Sequence, residues 1–222
     1  DGLITRGLVA AVADACGVSA AARTLLRRPA LLVLTYHRIG CAAECEYDAG
    51  VYSADTNGFY EQIEHLRRHY PVLTLDEALV ALKRPGGLRR PAVLLTFDDG
   101  YRDNYSIAFP LLKSMGLQAT FFLSTCLVGT NTLAWWDQVA YTVRHARRPR
   151  FKVAEGMQEI DLTRMDVTQA VGRILRWFKS DGPAQPAALV ADVAAACDGP
   201  VRQCAPDRQF VSWEEAGEML EG

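Results

Sequence analysis

Residues 93–104 read Val-Leu-Leu-Thr-Phe-Asp-Asp-Gly-Tyr-Arg-Asp-Asn, an apolar and β-branched run that ends in two carboxylates and a glycine. Adjacent carboxylates in one pocket resist joint ionisation unless a cation or a hydrogen-bond network separates their tasks. The economical division puts one aspartate on a metal ion and lets the other polarise a water. Neighbouring residues on a strand point to opposite faces, so Asp98 and Asp99 share a site only if the chain turns there. Gly100 permits that turn, because glycine tolerates positive φ and close backbone approach. Taken alone, Asp-Asp-Gly is also the composition of an ordinary polar turn. The surroundings have to decide.

Residues 93–97 are too continuously apolar for a half-exposed strand and too short for a helix, so they predict a buried strand. Residues 31–35 predict an earlier buried strand that delivers Tyr36 and His37 at its C-terminal end. Residues 38–56 read as a loop, and residues 59–70 as a helix with Phe59, Ile63 and Leu66 on one face. A short strand over 72–75 leads into a capping box, Thr74 with Glu77, that opens a helix through Leu82. Pro85-Gly86-Gly87 is a turn; residues 103–115 predict a helix closed by Gly116, with Pro110 as a kink or a new start. Residues 118–123 are the next buried strand. This alternation predicts an α/β chain with a largely parallel sheet. Between about 124 and 207 the rhythm changes to a helix from Trp135, a hairpin around Glu155-Gly156, and helices over 167–178 and 186–197. A further helix is expected over residues 3–26, within an N-terminal segment of residues 1–30.

The string Thr96-Phe97-Asp98-Asp99-Gly100-Tyr101, following an apolar strand, resembles the first motif of the polysaccharide deacetylases of the NodB-homology type (carbohydrate esterase family 4). Its flanks are similar too: Tyr36-His37-Arg38-Ile39, Ala108-Phe109-Pro110-Leu111-Leu112, the run 116–123, and Trp135-Trp136-Asp137. The likeness covers residues 31–139 and resumes at Phe210-Val211-Ser212-Trp213, where a serine caps a helix through Leu220. It implies the N-terminal portion of a distorted (β/α) barrel over residues 31–222, with a mostly helical insertion at about 131–207. By the same resemblance Asp98 is the catalytic base and Asp99 a ligand to a divalent metal, zinc in type. Tyr36, His37, Gly100 and Tyr101 border the pocket, and lining or hydrogen-bonding is preferred for His37 over direct ligation. A backbone N–H near Gly100–Tyr101 would help hold the oxyanion. The implied substrate is an N-acetylated amino-sugar polymer, in the cell envelope, the periplasm or outside the cell.

The family's His-x3-His pair, its arginine motif and the histidine that serves as catalytic acid come later than the segment ending at Gly222. The expectation is therefore a partial domain with an incomplete metal site that binds metal poorly and turns over little. Such a half-barrel would expose strand edges and core surface. His65 and His69 imitate the missing pair at i, i+4, but they precede the Asp-Asp motif and flank Arg67 and Arg68, so they read as helix-surface histidines. The formal charge of −2 gives no global basicity for nucleic acid, and no apolar run is long enough to span a bilayer. Six scattered cysteines do not make a disulfide scaffold, and free or loop-stapling thiols are expected. A non-catalytic carbohydrate-binding or scaffold protein on the same fold is the alternative reading. A phosphotransfer enzyme or glycoside hydrolase fits adjacent carboxylates less well, because the latter needs two carboxylates well apart across a sugar.

Overall fold

The computed structural model describes residues 29–182 and 185–222. The helix expected over residues 3–26 lies outside the described residues. Strand β5 (Ala92–Phe97) is the centre, and all of its residues are buried. Strand β1 (Leu31–Tyr36) runs parallel to it in unbroken register, from Leu31 opposite Ala92 to Tyr36 opposite Phe97. The other side of β5 is shared by two short parallel strands. Strand β4 (Val72–Leu73) pairs at its start and β6 (Thr120–Phe121) at its end, with Phe121 opposite Phe97. The result is a mixed α/β chain with an open, four-stranded parallel sheet.

Three expectations change. The loop over 38–56 contains two short strands, β2 (Arg38–Ile39) and β3 (Tyr52–Ala54), paired in parallel. Strand β1 is not buried throughout: Val33, on the face of the strand opposite Leu34 and Tyr36, which pack against the helix over residues 56–69, is 52% exposed. Strand β6 is two residues long rather than six and only half-buried, since β5 ends beside it and the chain leaves the ladder at Phe122.

One face of β5 is packed by helix α1 (Thr56–His69), which starts where the Asp55 side chain accepts the Gly58 N–H at 2.7 Å. Its stripe of Phe59, Ile63 and Leu66 meets Val93, Leu95 and Phe97, the alternate residues of β5. Phe97 stacks on Tyr36 at 5.3 Å and on Phe121 at 4.8 Å, and takes the edge of Phe59 at 5.9 Å. These rings lock the C-terminal ends of three neighbouring strands together. Helix α2 (Leu75–Lys83) carries the expected Thr74–Glu77 capping box. After the Asp-Asp-Gly turn the chain makes a π-helical turn, Asn104–Ala108, before helix α3 (Phe109–Ser114). Pro110 has no N–H to donate, so the hydrogen-bond ladder loosens around it and restarts.

A second core lies between helices α4 (Trp135–Arg144), α5 (Val167–Asp181) and α6 (Pro186–Cys197), with the hairpin of β7 (Arg150–Phe151) and β8 (Ile160–Asp161). Helix α7 (Trp213–Glu221) then returns to the sheet. An apolar groove of about 650 Å³ lies among α3, β6 and α7, lined by Leu117, Phe121, Trp213 and Met219. No helix among the described residues is long and apolar enough to cross a membrane.

Helix α7 begins with a second capping box: Ser212 Oγ accepts the Glu215 N–H, and the Glu215 carboxylate accepts the Ser212 N–H. The same carboxylate takes a two-pronged bond from Arg208, at 2.8 and 2.9 Å. Ser212→Ala is expected to cost about 1 kcal/mol in urea denaturation. A loss of only a few tenths would mean that the Arg208 fork alone holds the helix start.

Candidate active site

In a parallel pair, residues that follow the last paired positions lie side by side. Tyr36 opposes Phe97, and the Asp98 N–H donates to the Tyr36 carbonyl at 2.8 Å, so His37 and Asp98 leave the sheet together. The third strand adds Ser124, whose N–H donates to the Asp99 carbonyl at 3.2 Å. This is the C-terminal edge of the sheet, where parallel α/β proteins place their chemistry.

The turn that lets two adjacent aspartates share this edge begins one residue earlier than the glycine. Asp99 itself has φ of 70°, followed by Gly100 at 74°. A non-glycine residue in the left-handed region costs roughly 1–2 kcal/mol, and aspartate tolerates it better than most. Gly100 needs its missing side chain as well: an added Cβ would lie 2.7 Å from Leu123 Cδ2. Both carboxylates are half-buried. Burial pushes the Asp99 carboxyl above the ordinary range, the charge on Asp98 adds to this, and His37 and a hydrogen bond from Ser124 oppose it.

The other expected pocket residues divide. Tyr36 shares the face of Phe97, so its ring is buried against α1 and its hydroxyl donates to Gln62 Oε1 at 3.0 Å; alternation along the strand sends His37, not Tyr36, towards the carboxylates. The Tyr101 side chain is fully buried beneath the turn. Its backbone is better placed. The segment 100–102 pairs with 209–211 through Arg102 N–H to Gln209 O at 2.8 Å and Val211 N–H to Gly100 O at 2.9 Å. Tyr101 and Phe210 therefore form a non-hydrogen-bonded pair, and the Tyr101 N–H points away from residue 210.

Sequence reasoning missed the polar layer under this edge. Arg38, next to His37, donates to Asp103 Oδ2 at 2.8 Å and lies 4.7 Å from the centres of both the Tyr52 and Tyr101 rings. Asp103 also accepts the Ile39 N–H at 3.0 Å, and Asn104 Nδ2 donates to the His37 carbonyl at 2.7 Å. Burial pushes the Arg38 guanidinium down, but Asp103 more than compensates and keeps it firmly charged. Trp136 Nε1 donates to the Tyr101 hydroxyl at 2.6 Å, which donates to Asp137 Oδ2 at 3.3 Å. Asp137 Oδ1 accepts the Asp48 N–H at 3.1 Å. The signal was a charged residue after two tryptophans on a helix whose next turns are apolar.

A catalytic zinc takes three protein ligands and an open position. Among the described residues, no three histidines, cysteines, aspartates or glutamates converge closely enough to hold a metal ion. The donor set described here does not fit a complete catalytic zinc site. His65 and His69 stack on each other at 4.3 Å at the end of α1, and His69 Nδ1 lies 2.8 Å from the His65 carbonyl. The described cysteines are free; Cys16 lies outside the described residues.

Residues 86–180 match the family model for polysaccharide deacetylase. YxkH of Bacillus subtilis (strain 168), which bears the name of a polysaccharide deacetylase, is 34% identical over 119 residues, covering 53% of this chain and 40% of its own. The chain thus spans well under two thirds of that relative. The structure of Streptococcus pyogenes deacetylase PplD in complex with acetate is 27% identical, with a TM-score of 0.37 over 46% of each chain. That of IcaB from Ammonifex degensii is 17% identical, with a TM-score of 0.41 over 88% of this chain and 99% of that one. It is residues 86–180, with the Asp98–Asp99 turn among them, that resemble the polysaccharide deacetylase family.

Proposed function

We propose that the chain belongs to a metal-dependent hydrolase that removes N-acetyl groups from an amino-sugar polysaccharide, on a NodB-type barrel with an insertion at about 131–207. One observation carries the reading: Asp98 and His37 leave adjacent parallel strands side by side, and a left-handed Asp99 brings the second carboxylate to the same edge. Asp98 takes the proton of the attacking water. The Tyr101 N–H, directed away from its bridge partner, faces the developing oxyanion. Asp99 would be one ligand to a zinc-type ion, and such an ion would supply polarisation of the acetamide carbonyl. His37 lines the pocket beside them. The cell envelope or the exterior of the cell is the setting such a polymer implies.

The paramagnetic ion manganese(II), which suits carboxylates, tests the site directly. Its addition is expected to broaden the amide signals of residues 98–101 and of His37, and Asp99→Asn should abolish the effect. Broadening centred on His65 and His69 would sink the assignment of Asp99. Acetate release from N-acetylglucosamine oligomers is expected to be slow even in excess zinc, because the described residues furnish too few ligands. Asp98→Asn should lower it by about 10²–10⁴-fold. Release unaffected by Asp98→Asn would put the chemistry elsewhere.

The alternative is a non-catalytic carbohydrate-binding or scaffold protein on the same fold. Oligomers that perturb the turn's amides while zinc brings no acetate release would select it.

A further inference from the structure

The turn that carries the carboxylates is held from below by a residue on a distant helix. Tyr101 is clamped on both faces of its ring, by Phe210 stacked at 4.7 Å and by the Arg38 guanidinium at 4.7 Å. Its hydroxyl is fixed at the far end, between the Trp136 indole N–H at 2.6 Å and Asp137 Oδ2 at 3.3 Å. Asp137 is completely buried in the first turn of α4, and its other oxygen is taken by the Asp48 N–H. A ring held on two faces and at its tip leaves the Tyr101 backbone little freedom. The two residues before it, Asp99 and Gly100, are both left-handed. Strained backbone of this kind persists only where the surroundings over-determine it.

We propose that Asp137 is a positioning residue for the reaction inferred above: through the Tyr101 hydroxyl it holds the Asp99–Gly100–Tyr101 turn in the conformation that sets the two carboxylates side by side. The role rests on the hydrolase reading, but the anchoring can be measured separately. An aspartate in the first turn of a helix also favours the helix dipole, a purely structural benefit. The test has to separate the two.

Amide spectra of the chain, of Asp137→Asn and of Tyr101→Phe supply the comparison, with Asp166→Ala as a control. Asp166 is exposed and caps α5, a helix of the second core, through the Gln169 N–H at 2.8 Å. Both Asp137→Asn and Tyr101→Phe are expected to shift the amide signals of Asp99, Gly100 and Tyr101 together, whereas Asp166→Ala lowers stability and leaves those signals in place. The manganese concentration needed to broaden the turn should rise about tenfold in Asp137→Asn, a change of 1.4 kcal/mol. Turn signals that stay put in both variants, or that move equally in Asp166→Ala, would overturn the proposal. Shifted turn amides with no manganese effect in any of the proteins would sink the hydrolase reading and leave the anchoring intact.

Discussion

Asp103→Ala is expected to cost about 3–5 kcal/mol, a large fraction of the stability of an ordinary domain. Among the described residues Arg38 makes its one ion pair with this carboxylate, and both side chains are about nine-tenths buried. Without it the guanidinium remains between Tyr52 and Tyr101 with no carboxylate hydrogen-bonded to it. Cation–π attraction to two rings returns roughly 1–2 kcal/mol, less than the desolvation of an unpaired charge. Two backbone restraints go as well, because Asp103 accepts the Ile39 N–H and orients Asn104, which holds the His37 carbonyl. Urea denaturation measures the loss. Adding Arg38→Met to Asp103→Ala should recover part of it, since that removes the stranded charge. A cost below about 1 kcal/mol for Asp103→Ala would show that water reaches Arg38 in place of the carboxylate.

The features legible in the sequence were those written in short, periodic runs. The continuous apolar run 92–97 forms the buried central strand, and the Phe59, Ile63 and Leu66 stripe forms the helix face beneath it. Caps at Thr74 and Ser212 were visible because a capping box needs only residues three apart. The hairpin around Glu155–Gly156 and both helices after it follow equally local patterns. Relations set by distant pairing were not legible. Nothing in residues 38–56 announces that Arg38 and Tyr52 will be strand partners, since each strand is only two or three residues long. Gly100 suggested a turn, but the left-handed residue that begins it is Asp99, whose carbonyl accepts the N–H of the distant Ser124. Tyr36 and Tyr101 lie next to the candidate residues in sequence, yet their side chains are buried away from the carboxylates, as strand alternation and a tight turn require. The polar layer joins residues 38, 48, 101, 103 and 137, so no short window contains it.

That layer also predicts an unusual dependence of stability on pH. Burial pushes the Asp137 carboxyl from the usual 3.8 up to about 7. The nearby Asp48 charge adds to the shift; the Asp48 N–H, Arg38 and the Tyr101 hydroxyl oppose it without cancelling it. An acid whose folded-state pKa is raised binds its proton more tightly in the native chain than in the unfolded one. Its contribution is therefore fully present below about pH 4 and is lost as pH rises through about 7, with a slope of up to about 1.4 kcal/mol per pH unit. Over the whole interval the loss approaches about 4 kcal/mol as an upper bound. Asp137→Asn keeps an oxygen for the Asp48 N–H and a polar group for the Tyr101 hydroxyl but cannot ionise. Denaturation curves at pH 4, 6 and 8 should thus show the variant gaining on the parent chain at each step and exceeding its stability at pH 8. Taking the difference between the two proteins cancels the titration of Asp99 and Asp103, which burial raises as well, while Asp48, coupled to Asp137, stays part of the difference. If the difference is flat across this range, Asp137 ionises in the folded chain as it does in the unfolded one. The Tyr101 hydroxyl is the contact that joins this carboxyl to the turn carrying Asp98 and Asp99.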